Sequence, residues 1–103
     1  MTERDIERKI IEALSREGLL VIKIPNDALW RQKVAGTLRG APDLVVVAPG
    51  GRVVWLEVKT ARGYLSQPQK ALHRKLKEMG HHVEVVRSVE EALAFVRKAL
   101  TLS

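Results

Sequence analysis

The sequence predicts an α/β domain: one helix, three strands, a helix, a fourth strand and a final helix, within 103 residues. Three stretches repeat apolar residues at helical spacing, and four short runs are rich in β-branched residues. The junctions between them carry capping residues, Gly or Pro, which separate the two periods.

In residues 2–17, Ile6, Ile10, Ile11 and Leu14 form one helical stripe, with Thr2 as N-cap and Gly18 as stop. Residues 19–24 are a short strand closed by Pro25-Asn26-Asp27. From 27 to 41 the period lapses, and Trp30, Arg31, Lys33 and Arg39 mix with Gly36 and Gly40, predicting a basic, mobile loop. Runs 43–48 and 52–59 flank Pro49-Gly50-Gly51 and form a hairpin. Apolar residues at successive positions put both faces of that hairpin under cover. Ser66 caps a helix through Ala71, Leu72, Leu76 and Met79 that stops at Gly80. Residues 82–87 are the fourth strand, and Ser88 opens a capping box with Glu91. Leu93, Phe95, Val96 and Leu100 line the last helix, and 101–103 are expected to fray. Nothing repeats, so residues 1–103 read as a single domain.

Eighteen Lys and Arg against twelve Asp and Glu leave a charge of +6, which favours a polyanionic partner through attraction and counterion release. Cysteine is absent, which excludes disulfides, thiolate zinc sites and a cysteine nucleophile and fits a reducing, intracellular setting. The charged N-terminal stretch resembles neither a signal peptide nor a membrane span, so a cytoplasmic location without a membrane partner is expected.

The unusual charges lie in the apolar hairpin. Asp43 opens one strand, and Glu57 and Lys59 follow 14 and 16 positions later, near the end of the next. Alternation puts Glu57 and Lys59 on one face, and a turn at Gly50-Gly51 brings Asp43 beside Glu57. Two carboxylates suit a hard divalent ion, Mg²⁺ or Mn²⁺, with the Val58 carbonyl as a further ligand. Such an ion activates water for phosphodiester hydrolysis, and Lys59 orients that water or neutralises developing charge. Glu7 has Ile10, Ile11 and Leu14 at +3, +4 and +7, so it points inward from the first helix. Glu3, one turn earlier, is the alternative, and a helix-dipole role suits it. Arg31, Lys33 and Arg39 can grip phosphates, and Trp30 can stack on a base. His81 and His82 lack a nearby third ligand in sequence, His73 lies on a helix among charged neighbours, and all three read as ordinary surface residues.

Pro42-Asp43 followed by Glu57-Val58-Lys59 resembles the signature of the PD-(D/E)XK nuclease superfamily. The longer pattern Gly40-Ala41-Pro42-Asp43-Leu44, Glu57-Val58-Lys59-Thr60 and Leu65-Ser66 with Gln69 is similar to the VRR-NUC family within it, over about residues 7–91. That resemblance implies a restriction endonuclease-like αβββαβ core with a C-terminal helix, its mixed central sheet flanked by helices. It also implies Glu7 as a third metal ligand and Gln69, rather than Gln67, as a support for the active-site lysine or a DNA contact. Stand-alone relatives imply a homodimer acting on branched DNA such as Holliday junctions. Two alternatives remain: a nuclease acting on flaps or single-strand ends, and a nucleic-acid-binding module that does not cut.

Overall fold

The computed structural model describes residues 1–25 and 39–102. Trp30, Arg31 and Lys33, expected to contact nucleic acid, lie outside the described residues, as does Ser103.

Helix α1 spans Glu3–Arg16 and begins with a reciprocal cap: Thr2 Oγ1 accepts the Asp5 N–H at 3.1 Å, and Asp5 Oδ2 accepts the Thr2 N–H at 3.0 Å. Gly18, at φ +82°, supplies the left-handed residue after its last turn. Strand β1 (Leu20–Lys23) pairs antiparallel with β2 (Leu44–Ala48), which pairs antiparallel with β3 (Arg52–Val58) through a short 3₁₀ turn at Pro49–Gly51. Helix α2 (Gln67–Glu78) crosses over to β4 (His82–Val86), which runs parallel to β3, and helix α3 (Val89–Leu102) closes the chain. The sheet order is β1-β2-β3-β4, and the sheet is mixed, as expected.

Helices α1 and α3 lie together on one face. Ile6, Ile10 and Leu14 from α1 and Ala92, Val96 and Ala99 from α3 pack on Leu44, Val46, Val54, Leu56 and Val58, all buried. Each large side chain removed from water here contributes roughly 1.5–3 kcal/mol. Arg97 on α3 joins Glu17 at the end of α1 through two bonds of 3.2 and 3.1 Å.

Three expectations need correction. The sheet is not covered equally on both sides: on the α2 face, Val45, Val47, Val53 and Trp55 stay half-buried, while Leu20 and Ile22 on the edge strand are 61% and 47% exposed. Helix α2 packs on that face beside β4, and its His73 reaches Glu57 of β3. The last helix does not fray at 101; it continues through Leu102, and the Thr101 hydroxyl donates to Arg97 O at 2.8 Å. At Ser88 the hydroxyl accepts the Glu91 N–H, but Glu91 Oε1 accepts from Arg87 N rather than Ser88 N, shifting half of the box by one residue.

Candidate active site

Register decides the centre of the site. Leu44 stands opposite Leu56, so the next pair toward the open end of the hairpin is Asp43 and Glu57. Asp43 is half-buried and its Oδ2 accepts the Val58 N–H at 2.7 Å, fixing the carboxyl at the strand end. Glu57 is 1% exposed, a burial a carboxylate tolerates only with partners.

Helix α2 supplies those partners. Gln69 Nε2 donates to Glu57 Oε2 at 3.4 Å, and His73 Nε2 meets Glu57 Oε1 at 3.3 Å. Positions 69 and 73 are one helical turn apart, so the two side chains hold one oxygen each. Gln69 also completes the cap of its own helix: its Oε1 accepts the Ser66 N–H at 2.9 Å, and its N–H donates to Ser66 Oγ at 3.3 Å. A glutamate could accept that capping bond, but it would have no amide hydrogens to donate to Glu57.

His73 corrects the surface role expected of it, because it is 5% exposed. Burial first, then the nearby Lys77, holds its imidazole below the ordinary range. The ring is therefore neutral near pH 7, and with its hydrogen on Nε2 it donates to Glu57.

Asp43 is pushed up to about 8, chiefly by burial, next by a hydrogen bond and charge repulsion from Glu57; the Val58 amide pulls the other way, and the charge of Glu7 adds a smaller upward push. Asp43, facing Glu57 in so little water, therefore keeps its proton at neutral pH in the metal-free chain. Oxygen ligands of this kind, which repel one another until a cation enters, fit a divalent ion.

Glu7 reaches the area from α1 and is buried, whereas Glu3 is exposed in the first turn, which settles which of the two faces inward. Glu7 Oε1 lies 2.6 Å from Lys23 Nζ. Lys23 is the last residue of β1, opposite Leu44 and so next to Asp43. Among the described residues no three carboxylate or imidazole groups, as placed, stand close enough to enclose an ion. The structure thus brings Asp43 and Glu57 together and ties Glu7 to Lys23 at their side.

Lys59 follows β3 on the Glu57 face, near enough for its charge to act on His73, and is in no ion pair among the described residues. The exposed Arg39 precedes Gly40, whose φ is +90° and whose hydrogen faces the start of α2: a Cβ there would lie 2.5 Å from both Pro68 C and O. Only glycine combines that backbone with so close an approach. Gly40 therefore seats the segment leading into Asp43 on the turn that presents Gln69.

His73 and Lys23 were the two residues of the site not read from sequence. His73 had one legible signal, its four-residue spacing from Gln69; Lys23 had none without the strand register.

The sequence profile of the VRR-NUC domain matches residues 2–90. The chain belongs to the VRR-NUC domain family. Two solved structures have the same architecture. One, described as a VRR_NUC domain, is 24% identical, with a TM-score of 0.73 over 94% of this chain and 97% of that one. The other, a VRR_NUC domain protein, is 18% identical, with a TM-score of 0.77 over 100% of this chain and 91% of that one. At these identities the likeness is one of fold. No protein of curated function matches. As a VRR-NUC domain the chain is a nuclease-type domain, and DNA is the class of substrate that implies. Among the described residues of this VRR-NUC domain, no helix is long and apolar enough to cross a membrane.

Proposed function

We propose that this VRR-NUC domain is an intracellular, Mg²⁺- or Mn²⁺-dependent endodeoxyribonuclease that cuts branched DNA, Holliday junctions included. The observation that carries the reading is the pair Asp43 and Glu57, two carboxyls held together at the end of a buried hairpin with Asp43 pushed up to about 8. Asp43 and Glu57 would hold the ion, with the Val58 carbonyl adjoining and Glu7 added from α1. A divalent ion supplies a polarised phosphate and a water of lowered pKa.

The chain's own residues do the rest. Gln69 and His73 each engage one oxygen of Glu57 and so fix its rotamer. Val58 N–H fixes Asp43 in the same way. Lys59 orients the attacking water and neutralises charge on the phosphate as the bond breaks. Arg39, before the Gly40 seat, holds the backbone on the substrate side. A two-fold homodimer would carry two such sites and suits paired incisions on a two-fold junction.

The test is cleavage by metal-stripped protein of labelled four-way junction, flap, splayed and linear duplex DNA, with and without Mg²⁺ or Mn²⁺, beside Glu57→Ala. Junction cleavage that needs metal and disappears in Glu57→Ala is expected. No cleavage of any substrate would leave a binding module instead, and an unimpaired Glu57→Ala would overturn the catalytic role of the acidic pair. Preference for flaps or equal cutting of linear duplex would remove the junction and keep the nuclease.

A further inference from the structure

We infer that the outer surface of α2 and the segment just before it, from Tyr64 to Lys77, form a binding track for single-stranded nucleic acid, with an unpaired base stacked on Tyr64. The inference rests on the nuclease reading and concerns branched substrates with an unpaired arm, such as flaps and splayed duplexes; a fully paired junction would not engage Tyr64.

Lys70, Arg74 and Lys77 stand at i, i+4 and i+7 on α2, which places them on one stripe of the helix. All three are exposed, and none is in an ion pair among the described residues. They line a groove of about 530 Å³ together with Leu65, His73 and the β4 residues Glu84 and Val85. Long cations that form no ion pair along a groove suit a chain of phosphates. Glu84 faces the stripe from β4 and repels a phosphate chain toward the helix, while Glu78 closes the stripe after Lys77. His73 forms part of this lining while its Nε2 touches Glu57, so a single ring separates the track from the acidic pair.

Tyr64 decides the form of the strand. It is 87% exposed, beside Leu65 at the start of the groove and five residues after Lys59. A ring left in water offers both faces to a base. Bases within a duplex are already stacked on their neighbours, so only an unpaired one can use it.

The experiment is fluorescence anisotropy of a labelled single strand and a blunt duplex of equal length, in EDTA so that nothing is cut. Tyr64→Ala should weaken the single strand about tenfold, through lost stacking, without affecting the duplex. Tyr64→Phe should restore it. Changing Lys70, Arg74 and Lys77 together to Gln should reduce the salt slope for the single strand by about 2. The same charge removed from Arg4, Arg16 and Lys98, exposed on α1 and α3, should leave that slope unchanged. The track is ruled out if Tyr64→Ala binds the single strand like the parent, or weakens the duplex equally, or if the α1 and α3 substitutions cost as much as those on α2. An acidic peptide binding the stripe as well as the oligonucleotide would overturn it too. Because no step involves cleavage, failure here leaves the metal-dependent cutting of the junction standing or falling by its own assay.

Discussion

Glu57 sits at the intersection of two requirements, burial and charge, and its neighbours on α2 meet both. Gln69 does so with one amide: the oxygen caps the helix and the nitrogen holds the carboxylate. Gln69→Glu keeps the capping acceptor while putting a like charge 3.4 Å from Glu57 Oε2. His73→Leu keeps the bulk and removes the donor to Oε1. Single-turnover cleavage should fall roughly 10–100-fold in each, the usual cost of losing a group that orients a ligand. Unchanged rates with intact folding would mean that the two bonds are incidental. His73 was misread because Lys70, Arg74, Lys75 and Lys77 around it suggest a solvated helix face. The hydropathy of a neighbourhood does not reveal that a crossover lays one turn of α2 over the end of β3. Asp43, Glu57 and Lys59 were legible because charges in an apolar hairpin are costly and therefore conspicuous.

Elements were legible wherever period and punctuation agreed. The caps at Thr2 and Ser66 and the Gly50-Gly51 turn fixed three boundaries and the register that pairs Asp43 with Glu57. The coverage of the sheet was not legible, since Val45, Val47 and Trp55 carry no mark of which face the helices choose. Gly40 shows how one element is seated on another. Gly40→Ala meets both a left-handed backbone and the Pro68 backbone, whereas Gly18→Ala, at φ +82°, meets the first alone with nothing within 4 Å. The shared conformational cost is about 1–2 kcal/mol. Urea unfolding should therefore show Gly40→Ala losing more than Gly18→Ala, with cleavage also reduced as Gln69 shifts. Equal losses would show that the turn moves away from α2 freely.

For the whole molecule, the acidic pair makes stability depend on pH. Asp43 has its carboxyl raised to about 8 in the folded chain against an ordinary value of 3.8. Between those limits the folded state holds a proton that the unfolded state has released, so stability falls as pH rises and the slope vanishes above about 8. The contribution of this carboxyl is fully present below about pH 4. Metal-free Asp43→Asn should accordingly show a flatter stability profile across that window and exceed the parent near pH 8, as read by chemical denaturation in EDTA. A parent whose stability does not decline more steeply than the variant's would show that the two carboxyls do not compete.

The Gly50-Gly51 turn has its own consequence at this scale. The strand from Ala48 back to Asp43 spans about 17 Å, so the turn and the acidic pair occupy opposite ends of the hairpin. Both glycines carry positive φ, and Arg52 anchors the turn by donating to Pro49 O and Leu100 O. A reporter or new chain ends grafted there should leave the Asp43–Glu57 pair in place. The hairpin thus sets its exposed turn and the proposed metal site at opposite ends, so a change at one need not reach the other.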